Sequence, residues 1–205
     1  MEVTVSPRDK IIAAAQALFF SVGYSKVLMA DIARQLGMSK KTLYQYFSGK
    51  EELLSMVIRA HGQDIQQEVE TILANNTLDF PEKARQIFSY VGTKLHDINP
   101  SFVKDIKKNA PAAWQELQQY KADAAFLRFN ALLEEGARQG YIRKDVPRAM
   151  AVLLYASALE TILNPSFTQQ VPEELMNQLP QTPETVFESL VKIIFTGVMD
   201  GKAHT

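Results

Sequence analysis

The sequence predicts an all-α fold, and three observations carry the prediction. Apolar residues recur at helical spacing in nearly every segment, and no stretch alternates as a half-buried strand would. Prolines stand at segment starts, at Pro7, Pro81, Pro100, Pro111, Pro147 and Pro183, where the missing N–H is harmless. Capping residues mark the boundaries, among them Ser6, Gly23, Ser39 and Ser48. The chain has 205 residues, 46% of them hydrophobic, enough to bury a sizeable core in one or two domains.

The first helix is expected over Pro7–Val22. Ser6 is its N-cap and Asp9 holds the capping-box position. Ile11, Ile12, Ala15, Leu18, Phe19 and Val22 form its apolar stripe, and Gly23 ends it. A short second helix covers Met29–Leu36, with Ile32, Ala33 and Leu36 inward. Gly37-Met38 turns the chain, and Ser39 caps a third helix over Lys40–Phe47. Ser48-Gly49-Lys50-Glu51 reads as a Ser-x-x-Glu box opening a long fourth helix to Ala74. Further helices are expected over Pro81–Asp97, Pro100–Lys108, Pro111–Gln139 with a break near Gln118–Tyr120, Pro147–Leu163 and Pro183–Asp200. Segment 164–182 contains three prolines and is the longest connection.

Composition excludes several chemistries. No cysteine is present, so there is no disulfide framework, thiol nucleophile or Cys-based metal site. His61, His96 and His204 stand apart without the spacing a zinc site needs. Gly-rich phosphate loops, a Gly-x-Ser-x-Gly elbow and zinc-protease motifs are missing. Neighbouring carboxylates such as Glu134 and Glu135 diverge on a helix instead of converging. The expectation is therefore no enzyme, no metal and no cofactor. Neither a signal peptide nor an apolar run of about 18 residues is present, and a cytoplasmic protein that does not enter the membrane is expected.

Net charge is −1, but it is unevenly spread. Residues 1–60 hold eight Lys/Arg against five Asp/Glu, whereas the rest hold 14 against 18. A modestly basic N-terminal module precedes an acidic body. Within that module, two short helices joined by Gly37-Met38-Ser39 form a helix-turn-helix pattern, whose second helix is shaped to enter a major groove. With Leu43 at the origin and about 100° per residue, Phe47 falls near Leu43, while Lys41 and Gln45 fall at about 160° and about 200°. Leu43 and Phe47 are thus the anchor. Lysine suits guanine O6/N7 and glutamine can pair with adenine N6/N7. Thr42, Tyr44 and Tyr46 place hydroxyls on the flanks, where phosphates run, and Lys40 lies nearer the domain wall. Lys50, at the start of the fourth helix, combines a charge with free N–H groups. The candidate DNA-binding residues are Ser39, Lys40, Lys41, Thr42, Tyr44, Gln45, Tyr46 and Lys50.

The stretch "FFSVGYSKVLMADIARQLGMSKKTLYQYFSGKEELL", Phe19–Leu54, resembles the DNA-binding domain of the TetR/AcrR family of bacterial transcriptional regulators. The matching elements are the Phe–Gly–Tyr entry, "DIA", "LG-S--TLY-YF" and "K-EL"; "EEGARQGYIRKDVPRA", Glu134–Ala149, also resembles a recurring family stretch. The resemblance implies an N-terminal three-helix DNA-binding domain over residues 1–50 and a helical ligand-binding and dimerisation domain over 51–205. It implies a homodimeric repressor released from a palindromic operator by a small-molecule inducer. One departure stands out: the family opens the second helix with Thr or Ser, and here Val27-Leu28-Met29-Ala30 has no hydroxyl.

A helix bundle with mixed aromatic and polar walls is a common ligand site. Under the resemblance, His96, Trp114, Tyr120, Arg128, Asn130 and Tyr155 are candidate lining residues. Helices 147–163 and 183–200 carry apolar faces wider than the roughly 100° one core requires, and they are the expected dimer interface. Two rivals share these residues: a small-molecule-binding protein or enzyme whose head no longer binds DNA, and an activator.

Overall fold

The computed structural model describes residues 6–163, 171–180 and 182–199. They form eleven α-helices and one π-helical segment: α1 Pro7–Val22, α2 Met29–Gln35, α3 Lys40–Tyr46, α4 Lys50–Ala74, α5 Phe80–His96, α6 Pro100–Asn109, α7 Pro111–Asp123, the π-helical Ala124–Phe129, α8 Asn130–Arg138, α9 Arg148–Leu163, α10 Glu173–Met176 and α11 Pro183–Val198. Among the described residues there is no strand, only an isolated antiparallel bridge between Ile142 and Met199. The chain divides into two compact units, Met1–Gln63 with Asp97–Gln118, and Asp64–His96 with Gln119–Thr205.

In the first unit α1 packs on α2 and α6, and α2 on α3. Ile11, Ala15, Phe19, Ile32, Leu43, Phe47, Leu53, Leu54, Val57 and Ile106 are fully buried there. The helices are short because each is punctuated by its own chemistry. The Ser6 hydroxyl accepts from the Asp9 amide at 3.1 Å and donates to the Asp9 carboxylate at 2.7 Å. Gly37 ends the α2 turn at φ 64°, a left-handed value that glycine adopts without strain. The Met38 amide then returns to the Ala33 carbonyl at 3.0 Å, closing the turn.

Three local expectations change. The box at the start of α4 uses Glu52, whose Oε2 accepts from both the amide and the hydroxyl of Ser48 at 2.7 Å each. Gly49 precedes the first helical residue, so the carboxylate three places on is Glu52 and Glu51 is one place short. The irregularity in the long Pro111 segment lies at Ala124–Phe129 as a π-helical segment, not as a break at Gln118–Tyr120. Within 164–182, Glu173–Met176 forms one helical turn, while residues 164–170 and 181 lie outside the described residues.

In the second unit α11 packs on α9 and α5, and α8 packs on α5 and α9. Phe80, Phe129, Leu132, Leu133, Tyr155 and Phe187 form its core. Close approach of α5 and α8 needs Gly136: a Cβ there would stand 2.6 Å from Phe80 Cε2. Lys83, only 1% exposed, ties three segments together. Its ammonium donates to the Leu73 carbonyl at the end of α4 and to Glu135 Oε1 on α8, both at 2.7 Å.

Candidate nucleic-acid interface

Helix α3 is only seven residues long, and its two ends and one face hold it. The Ser39 hydroxyl accepts from the Thr42 amide at 3.0 Å and lies 2.8 Å from the Thr42 hydroxyl. Leu43 and Phe47 are fully buried. The opposite side is solvent-facing: Lys40, Lys41, Tyr44, Gln45 and Tyr46 are exposed, and Thr42 is half-buried. Two exposed tyrosines on one short helix are costly in water, so this edge fits a partner that accepts both aromatic surface and hydroxyl hydrogen bonds.

Lys50, at the start of α4, is half-buried. Its ammonium lies 4.2 Å from the centre of the Tyr24 ring and donates to the Ser25 carbonyl at 3.5 Å. Burial pushes its pKa down, opposed by the nearby Asp105 carboxylate. The loop it touches, between α1 and α2, is clasped by α6. Asp105 Oδ2 accepts from the Ser25 amide at 2.6 Å and Asp105 Oδ1 accepts from the Ser25 hydroxyl. Asn109 donates to both Asp105 Oδ1 at 2.8 Å and Ser25 Oγ at 3.1 Å. Sequence reasoning missed this clasp, because 80 residues separate Ser25 from Asp105 and no local pattern joins them.

At the start of α2, Leu28 occupies the N-cap with φ −104° and ψ 154°, and its side chain is 60% exposed. No hydroxyl is available to accept from the first turn. The Asp31 carboxylate compensates in part, accepting from the Leu28 amide at 2.9 Å and pairing with Arg34 at 3.2 Å.

The six candidate lining residues divide between the two units. Trp114 belongs to the first unit, where the Lys107 ammonium stands 5.4 Å from its ring centre. His96, at the end of α5 in the second unit, is exposed. Asn130 is half-buried and donates to Glu134 at 3.2 Å. Tyr120, Arg128 and Tyr155 share the second unit, with Arg128 and Tyr155 buried and the Arg128 Nη2 reaching the Tyr120 carbonyl at 3.5 Å. Tyr155 stacks on Phe129 at 4.2 Å, beside Phe88 and Phe187. Among the described residues no cluster of three His, Asp or Glu suits a metal ion, and no helix is long and apolar enough to cross a membrane.

Similarity to known proteins is found both within the first unit and along the chain. The family described as bacterial regulatory proteins, tetR family, matches residues 11–57, from α1 into α4. Over 190 residues the chain is 29% identical to YvaF of Bacillus subtilis, an HTH-type transcriptional regulator, covering 92% of this chain and 94% of that protein. A TetR transcriptional regulator from Legionella pneumophila shares the fold with a TM-score of 0.71 at 18% identity, covering 97% of this chain and 100% of that one. SmeT, the repressor of the Stenotrophomonas maltophilia multidrug efflux pump SmeDEF, aligns with a TM-score of 0.65 at 17% identity, covering 98% of this chain and 94% of SmeT. SmeT is also known in complex with triclosan. Taken with the capped helix-turn-helix and its exposed third helix, the matches mean that residues 11–57 form a DNA-binding domain of the tetR type, in a chain that is similar along 92% of its length to an HTH-type transcriptional regulator.

Proposed function

We propose that the protein is a homodimeric, ligand-responsive repressor that binds a palindromic operator and is not an enzyme. The observation that carries the reading is the exposed edge of α3. Lys41 and Gln45 point away from the Leu43/Phe47 anchor, with tyrosine hydroxyls beside them. In this reading Lys40–Tyr46 enters a major groove, Lys41 and Gln45 meet base edges, and Ser39, Thr42, Tyr44 and Tyr46 meet the backbone. Lys50 contributes charge from its seat over Tyr24. Residues 1–50 act as the reading head, and 51–205 bind effector and dimerise.

Dimerisation is assigned to α9 and α11, within the expected 147–163 and 183–200; Asp200 lies outside the described residues. Support comes from Met150, Leu153, Leu154 and Ile193, all exposed although apolar, with Ile193 at 69%. Paired heads would read half-sites about one helical turn apart or somewhat more. A small molecule bound in the second unit would bias the spacing of the heads through α4, which has residues in both units. It can do so only to the extent that it binds one arrangement better than the other. Such a protein acts in the cytoplasm, where its DNA lies.

Selection of bound DNA from a random pool, followed by a gel shift across a salt series, tests the reading. A palindromic consensus with salt-sensitive affinity is expected. Absence of any retarded band at low salt would sink it and favour a ligand-binding protein with an inactive head.

A further inference from the structure

Among the described residues, the second unit buries three cations, and two of them are neutralised. Lys83 pairs with Glu135 and Lys121 pairs with Glu160. Arg128 is the exception. It is 9% exposed, yet among the described residues no carboxylate lies within ion-pair distance, and its single hydrogen bond is the long one to the Tyr120 carbonyl at 3.5 Å. A guanidinium has five N–H donors in a rigid fork. Leaving such a charge buried and unpaired is strongly unfavourable, and folded proteins seldom do so without use.

Its position in the chain is also unusual. Arg128 sits in the π-helical Ala124–Phe129, where the extra residue per turn rotates the helix face. Such turns cost stability and concentrate at functional sites. Beside it, the buried phenol of Tyr155 has its pKa pushed up by burial, opposed by the Arg128 charge, so it remains a neutral donor. Its hydroxyl has no partner among the described residues. The ring stacks on Phe129 at 4.2 Å, and Phe88, Phe187 and Phe195 surround the pair with ring centres 5.2 to 6.4 Å apart.

We infer that this cluster is an effector site for a monocarboxylate with an apolar body, the Arg128 fork taking the carboxylate, the Tyr155 hydroxyl adding a donor and the phenylalanines packing the body. One unpaired cation fits one negative charge. A phosphate or a dicarboxylate would leave charge unmatched, and a neutral ligand would leave Arg128 as it stands. The inference rests on the reading of the second unit as the effector domain, and it narrows the effector to a chemical class.

The test compares matched probes on the full-length protein by calorimetry and thermal unfolding: decanoate against decanol, and 2-naphthoate against 2-naphthol. The carboxylate of each pair should bind at least tenfold more tightly and raise Tm. Arg128→Met should abolish that preference while leaving the ligand-free protein as heat-stable as wild type or more so, since a merely structural arginine would lower Tm on removal. Tyr155→Phe should weaken the carboxylate by a smaller factor. Equal binding of acid and alcohol, binding of neither, or an unchanged preference in Arg128→Met overturns the inference. If Arg128→Met does not fold, the wild-type comparison decides alone. Operator release by neutral compounds, with carboxylates inert, would sink this inference and keep the regulator; carboxylate binding without any DNA binding would do the reverse.

Discussion

Asp105 on α6 accepts both hydrogen-bonding groups of Ser25, the amide at 2.6 Å and the hydroxyl on its other oxygen. The loop that aims α2 is therefore fixed by a side chain from 80 residues away. Asp105→Ala should lower stability by about 1 kcal/mol, the usual net worth of such bonds, as read by urea unfolding. It should also weaken operator binding, because the loop precedes the helix pair that meets DNA. Unchanged affinity with lowered stability would confine the clasp to folding.

The same carboxylate makes the clasp pH-dependent. Burial pushes its pKa up, but hydrogen bonds from Ser25 and Asn109 and the Lys50 charge outweigh this and hold it below the usual aspartate value. A depressed folded pKa gives stability that is present in full above the unfolded value of about 3.9 and is lost as pH falls below it through the folded value. Acid unfolding of wild type should therefore show a component below about pH 4 that is missing in Asp105→Ala.

On α3, Gln45→Ala should relax specificity at one base position, at a cost of about 1–3 kcal/mol on the preferred sequence, measured by competition with operator variants. Lys50→Ala should weaken all sequences alike and flatten the salt slope. Because Lys50 is seated over Tyr24, Tyr24→Leu should reproduce part of that loss without removing a charge. Wild-type binding by both Gln45→Ala and Lys50→Ala across the salt series would show that α3 does not lie in the groove.

Leu28 stands where a hydroxyl would cap α2, with backbone angles already suited to a cap. Leu28→Thr should add about 1 kcal/mol of stability and tighten DNA binding by supplying a phosphate contact. A stabilised variant with unchanged DNA affinity would separate the two roles.

Ile193→Glu places a charge on the exposed apolar face of α11. The variant should run as a monomer in size-exclusion chromatography and lose affinity for a palindrome far more than for a single half-site. A dimer of wild-type mass would mean that another face joins the subunits.

Much of the first unit was legible in the sequence because its signals are local. Ser6, Gly37 and Ser39 act within four residues of themselves, and Leu43 and Phe47 are one helical turn apart, so pattern alone separates the anchored side of α3 from the wet one. Long-range relations were not legible. Nothing near Lys50 indicates that it lies over Tyr24, and nothing near Asp105 indicates Ser25. The irregularity expected near Gln118–Tyr120 falls instead at Ala124–Phe129, a segment with no proline or glycine to mark it. The division of the aromatic candidates between the units has the same origin, since composition cannot say that Lys107 lies against Trp114 or that Tyr155 stacks on Phe129.

Lys83 also has a temporal consequence. The last turn of α4 ends on a carbonyl, that of Leu73, whose partner is ten residues on, and the charge of that partner is balanced by Glu135, 52 residues beyond. Until α8 arrives, the ammonium has every reason to stay in water, and the end of α4 is left to fray. Closure of so large a loop is slow compared with helix formation. The C-terminal end of α4 should thus be among the last helical segments to gain protection from hydrogen exchange during refolding.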